Sequence, residues 1–152
     1  MNNNLNDLLE QVGKIKQSFK QLNYKTNILY QTQWQEKVAN GYEVWRADPS
    51  GGLKLIKEQL PKLDYKCPVC SIPLTEESAT IDHLLPKSKY LGQAIALDNM
   101  LVVCNPCNAS KNNQEFAEWY LKLAPVSQAR LSQAIAEIQG TVKLAELLDK
   151  NK

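Results

Sequence analysis

The 152-residue sequence is poor in several things, and each shortage excludes something. It has a single histidine, so neither a multi-histidine metal site nor a histidine relay can be built. It has two arginines, Arg46 and Arg130, too few for extended bidentate reading of guanine. No apolar run approaches the roughly 20 residues that cross a bilayer, which predicts no membrane partner. The opening MNNNLNDLLEQ has neither a basic segment nor an apolar stretch of the secretory kind, so a cytoplasmic location is expected. Excess charge is also small: a net +2 and a pI near 8.3 neither demand nor exclude a nucleic-acid partner. Ten of the eighteen basic residues fall before residue 67, so any cationic surface is expected there.

Four cysteines are present, as Cys67-x-x-Cys70 and Cys104-x-x-Cys107, with 33 residues between the pairs. In a reducing compartment such matched pairs read as metal ligands rather than disulfides. Each knuckle turns two thiolates toward one ion, and two knuckles complete a tetrahedral Zn²⁺ shell. Four thiolates leave no position for water, so this zinc is expected to be structural. The long stretch between the knuckles leaves room for a functional insertion.

Leu5, Leu8, Val12, Ile15, Phe19 and Leu22 alternate three and four apart, with Leu9 widening the stripe, and predict a helix over 5–22. Three heptads suit a short coiled coil, but the flanking positions lack complementary charges, so packing on the rest of the chain is expected. Tyr30, Trp34, Val38, Tyr42 and Trp45 predict a second helix over 27–46, interrupted in promise by Asn40-Gly41. A loop at 48–52 and a short helix from Leu53 that stops before Pro61 follow. Ala79–Ile81 and Met100–Val103 read as strands. Residues 105–123 read as helix, broken near Asn112-Asn113 and ended by Pro125. Residues 127–149 read as one last helix with Ser127 as its N-cap.

Between the knuckles, Ile81-Asp82-His83-Leu84-Leu85-Pro86 sets a carboxylate beside the sole imidazole. Asp98-Asn99 precedes the second apolar strand, and Cys104-Asn105-Pro106-Cys107-Asn108-Ala109-Ser110-Lys111 follows it. This order, DHxxP then DN then CxxCNxxK, resembles the HNH nuclease motif, or ββα-metal fold, over about residues 65–120. The resemblance implies His83 as general base, Asn99 as the residue that orients it, and Lys111 as a helix lysine near the phosphate. It implies Asp82 and Asn108 as ligands of a catalytic divalent ion, making an H-N-N variant. It also matches Cys67, Cys70, Cys104 and Cys107 to a structural zinc site.

Elementary chemistry supports that assignment. Phosphodiester hydrolysis needs an activated water and a cation to offset developing charge. A carboxylate and an amide oxygen are hard ligands, suited to Mg²⁺ or Mn²⁺. Lys87 and Lys89 are candidates for DNA-backbone contacts. The expected fold class is a mostly helical α+β chain. An N-terminal helical extension (1–62) precedes a ββα-metal core (63–124) with a short antiparallel hairpin and zinc knuckles, and a C-terminal helix (125–152) follows. The expected function is hydrolysis of DNA by a nicking, weakly sequence-specific endonuclease that leaves 5′-phosphate and 3′-hydroxyl ends, as a monomer or weak dimer. The alternatives are a zinc-stabilised module that binds nucleic acid or protein, and a nuclease subunit delivered by a protein partner in a defence or mobile-element system, with the flanking helices as docking elements.

Overall fold

A computed structural model of the chain describes the backbone of residues 2–149, and the side chains of residues 11–26, 29 and 40–149. Helix α1 (Asn2–Ala47) is followed by α2 (Gly52–Lys62), strand β1 (Ala79–His83), two short 3-10 turns (Leu91–Gln93 and Leu97–Asn99), strand β2 (Met100–Cys104), and helices α3 (Asn105–Lys111), α4 (Phe116–Tyr120), α5 (Pro125–Gln139) and α6 (Thr141–Leu148). The chain divides into two compact units, Met1–Lys37 and Val38–Lys152. The hairpin, α2 and the C-terminal helices share the second. The fold class is the expected mostly helical α+β type with a two-stranded antiparallel sheet.

Several boundaries depart from the sequence pattern. The two expected N-terminal helices are one, α1. The Thr26 hydroxyl, at the expected junction, donates to the Leu22 carbonyl at 2.9 Å within an unbroken turn. Gly41 does not interrupt α1, because the residues after it are anchored: Tyr42 is buried in the core and Trp45 packs on it. The stripe at Val12, Ile15, Phe19 and Leu22 was expected to pack on the chain, yet all four are exposed. The side chains of Leu5, Leu8, Leu9, Tyr30, Trp34 and Val38 lie outside the described residues. Pro61 sits inside the last turn of α2 instead of beyond it, and the helix ends one residue later. Pro125 opens α5 at its first position, where a missing N–H costs nothing. Ser127 is therefore inside that helix, and Ala124 is the cap. The expected single C-terminal helix is two, split where Gly140 takes φ +93°, a left-handed conformation that glycine adopts without a steric penalty.

The turn from α1 into α2 is tight enough to require its glycines. A Cβ on Gly51 would stand 2.5 Å from the Trp45 carbonyl oxygen, and one on Gly52 2.4 Å from that of Arg46. This close approach brings the end of α1 beside the core of Leu55, Ile56, Leu60, Met100, Leu101 and Ile135.

Two strands make a sheet with open edges, and side chains close one of them. Buried Gln59 of α2 donates from Nε2 to the Met100 carbonyl (3.2 Å) and accepts at Oε1 from the Val102 N–H (2.8 Å). Gln139 of α5 adds a second donor to Met100 O at 2.7 Å. One amide thus stands where a third strand would pair with β2. Replacing Gln59 with leucine orphans a buried N–H. We expect a loss of about 1–3 kcal/mol in urea denaturation of the zinc-loaded chain, whereas Gln59→Glu, whose carboxyl when protonated both donates and accepts, retains part of that stability under mildly acidic conditions.

Candidate active site and metal centre

The knuckles are built by backbone geometry. After Cys67, Ser71 adopts φ 63°, its N–H donates to Cys67 O (2.8 Å), and Cys67 N–H donates to Ile72 O (2.9 Å). This closes a loop that turns Cys70 back toward Cys67. Cys104 is at once the last residue of β2 and the N-cap of α3, its sulfur accepting from Cys107 N–H at 3.5 Å. The four Sγ atoms lie within 4.8 Å of one another, with Cys70 and Cys104 3.6 Å apart. A tetrahedron with Zn–S bonds of about 2.3 Å has edges of about 3.8 Å. The donor set and spacing therefore fit zinc. Burial, with smaller pushes from Cys67 and Cys70, raises Cys104 to about 11 against the lowering bonds of Cys107, and burial with the neighbouring sulfurs pushes Cys107 upward too. Burial acts the same way on Cys70, but the Ile72 amide and the neighbouring thiols outweigh it and hold that thiol below its ordinary value. A cation that displaces these protons relieves the crowding. Arg130 of α5 donates to Val69 O at 2.7 Å and so ties the first knuckle to the C-terminal helices.

Strand β1 pairs with β2 in the register Ala79↔Cys104 to His83↔Met100. Asp82 and His83, adjacent on β1, are both buried. The His83 ring bonds through Nε2 to the Ala94 carbonyl at 2.8 Å. A carbonyl only accepts, so Nε2 carries the proton and Nδ1 is left with a lone pair. The Tyr42 ring stands edge-on to the imidazole at 4.7 Å between centroids. Burial above all, with help from Lys87 and Lys111, lowers the His83 pKa from its ordinary 6.5, against the opposing Ala94 bond.

Asn99 does not touch the imidazole. Its Oδ1 accepts from Leu85 N–H (2.7 Å), and its Nδ2 donates to Leu85 O (2.9 Å) and Gln93 O (3.3 Å). It therefore clamps both ends of the loop whose next carbonyl, Ala94, holds His83. Any orienting effect runs through that loop.

Lys111 was expected beside the phosphate, yet it is 1% exposed and faces inward. Its ammonium donates to the His83 carbonyl and, at 3.3 Å, to Asp82 Oδ1. Burial pushes Asp82 up to about 6 against the pull of Lys111, and pushes Lys111 down against the pull of Asp82. Asn108 of α3 donates from Nδ2 to Thr80 Oγ1 and Ile81 O, both at 3.2 Å. This leaves its Oδ1 as an available hard ligand. Asp82, His83 and Asn108 line one cleft of about 200 Å³, together with Tyr42, Glu43, Arg46 and Lys87. The Asp82 carboxylate and Asn108 amide oxygen fit a Mg²⁺-like ion that keeps most of its shell for water and phosphate.

Of the two candidate contact lysines, Lys87 lines that cleft, with Nζ 3.9 Å from the Tyr42 ring centroid and 3.9 Å from Glu43. Lys89 does not line it, and pairs with Glu115 at 2.8 Å. The α1 residues Tyr42, Glu43 and Arg46 were not among the expected site residues. Tyr42 and Arg46 are one helical turn apart, the signal that could have marked them as sharing a face. A larger cleft of about 650 Å³ holds none of Asp82, His83 and Asn108. Its lining includes Asp98, Glu115, Glu118, Glu146 and Asp149, a charge that repels phosphate.

The sulfur geometry predicts one tightly held zinc per chain, measured by metal analysis of purified protein. Cys107→Ser should abolish it, and strong chelation should collapse the near-ultraviolet circular dichroism of the hairpin core.

Comparison with known proteins accords with this geometry. Residues 67–114 match the family model described as HNH endonuclease. A 62-residue stretch, 41% of the chain, is 31% identical to the CRISPR-associated endonuclease Cas9 of Corynebacterium diphtheriae and covers 6% of that protein. The crystal structure of the Type II-C Cas9 enzyme from Actinomyces naeslundii aligns with 84% of this chain and 15% of that one, at 17% identity and a TM-score of 0.47. The chain thus spans a small fraction of either relative. Residues 67–114, which hold both knuckles, the hairpin and α3, are the part of the chain that is similar to the HNH endonuclease family.

Proposed function

We propose that this chain is a divalent-metal-dependent endonuclease that hydrolyses DNA phosphodiester bonds, with residues 63–124 as its catalytic core and 1–62 and 125–152 as helical flanks. The observation that carries the reading is the convergence of the sole imidazole, Asp82 and Asn108 on one cleft rimmed by Lys87 and Arg46. A zinc-stabilised binding module has no need of that set.

His83 is the general base. With Nε2–H fixed on Ala94, Nδ1 receives the proton of the attacking water. Its lowered pKa keeps it unprotonated near pH 7. Asp82 and Asn108 would hold the Mg²⁺ or Mn²⁺, which would supply positive charge against the phosphate and the leaving 3′ oxygen. Lys111 is a positioning residue that fixes the Asp82 carboxylate from behind. Asn99 positions His83 through the 85–94 loop. Lys87 and Arg46 supply charge at the cleft mouth for the backbone, a contact that carries little sequence information. Breakage of the P–O3′ bond leaves 5′-phosphate and 3′-hydroxyl ends. One such site cuts one strand, so nicks are the primary product.

Purified protein with Mg²⁺ or Mn²⁺ should convert supercoiled plasmid to the open circle, and His83→Ala should reduce this by at least about a hundredfold. Equal conversion by both proteins would overturn the reading. The rate should rise with pH and level off by neutrality, because His83 must lose its proton and Asp82, at about 6, must lose its own to hold the cation. A rate that peaks well below pH 6 would contradict His83 as base. Calorimetric titration of Mn²⁺ into zinc-loaded protein should show a second binding event that Asp82→Ala removes.

A further inference from the structure

We infer that the N-terminal part of α1 is a dimerisation helix, and that its occupant is the same segment of a second copy in a parallel two-stranded coiled coil. The inference is independent of the reaction proposed above. Val12, Ile15, Phe19, Leu22 and Leu29 stand at strict three-four spacing once Thr26 is counted, and this is the seam of a left-handed coiled coil. Their exposure runs from 46% for Val12 to 63% for Phe19 and Leu29. The unit that contains them, Met1–Lys37, is a single stretch of α1 and offers no second element to cover the stripe. Leu5 and Leu8 continue the same spacing in the sequence.

The remaining positions fit this occupant. Val12, Phe19 and Thr26 take the a positions, and Ile15, Leu22 and Leu29 the d positions, where leucine favours two strands. Thr26 brings no unpaired hydroxyl to the seam, since its Oγ1 donates to Leu22 O at 2.9 Å. The outer face carries Lys14, Gln17, Lys20 and Gln21. In a parallel, in-register pair Lys16 flanks Gln11 of the other copy and Ser18 flanks Asn23. No two like charges therefore meet across the described part of the seam. Lys16 and Lys25 instead lay their methylene stems along its edge. The five exposed side chains present on the order of 300–500 Å² of apolar surface per copy. Two copies then bury roughly 600–1,000 Å² from these alone, below the roughly 1,200 Å² of a standard stable interface and within the range of weak, transient ones. An interface this small suits a weak, reversible association rather than an obligate dimer.

The test uses the full zinc-loaded chain. Sedimentation equilibrium over micromolar concentrations should report a mass that rises from 17.2 kDa toward twice that value. Phe19→Lys should weaken the association about a hundredfold, with bound zinc unchanged. Under mild oxidation, Leu22→Cys should give a disulfide-linked dimer on a non-reducing gel, whereas Gln17→Cys, on the outer face, should not. A monomer mass at every concentration would overturn the inference. So would a dimer that Phe19→Lys does not weaken, a larger oligomer, or equal cross-linking at positions 17 and 22. None of these readouts depends on nuclease activity.

Discussion

Cys104 is where the architecture is decided. It ends β2, caps α3 and contributes a sulfur to the four-thiolate cluster. A cation bound there fixes the angle at which α3 leaves the hairpin, and with it the distances from Asn108 and Lys111 to β1. A two-stranded sheet and a seven-residue helix are too small to hold such an arrangement by propensity. The same cluster draws in the loop of Cys67 and Cys70, which Arg130 ties to α5. Four ligands from two places in the sequence thus reinforce connections that side-chain bonds such as Arg130 to Val69 and Asn108 to Ile81 also make.

On that frame the buried Asp82–Lys111 pair is the electrostatic feature on which the cleft turns. Burying a carboxylate without a partner would neutralise it, and the direction of its shift records that pressure. The lysine supplies enough positive charge to keep ionisation within reach of neutral pH. On the proposed reading, a divalent ion would add to the compensation that Lys111 already gives this carboxylate. Lys111 also bonds to the His83 carbonyl, so a single ammonium links Asp82 and His83 of β1 to α3.

Much of this was legible in the residues. The knuckles, both strands and the break near Asn112 were marked by cysteine spacing, β-branched runs and a paired asparagine, all signals local in sequence. The convergence of Asp82, His83 and Asn108 on one cleft follows from those elements once the thiolates meet. What escaped depends on tertiary context. Nothing in NASK says that Lys111 points inward, because a lysine at that spacing suits a solvated face equally well. Tyr42 and Arg46 lie some forty residues upstream of His83 and reach it only because the Gly51-Gly52 turn folds α1 against the core. The Val12–Leu22 stripe was legible as a periodicity, and its side chains are exposed, since amphipathicity states that a helix needs cover and not what supplies it. Gly140 was legible in principle, being a glycine inside an otherwise unbroken helical pattern.

The amides of Gln59 and Gln139 have a consequence for the behaviour of the protein at high concentration. A hairpin this short, with a fully buried and β-rich second strand, has the composition of a nucleus for cross-β stacking. With the Met100 carbonyl and the Val102 N–H already engaged, strand-to-strand growth from that side lacks those two groups to begin on. Loss of helical cover, rather than fraying of the hairpin, is then the event that opens the route to aggregation.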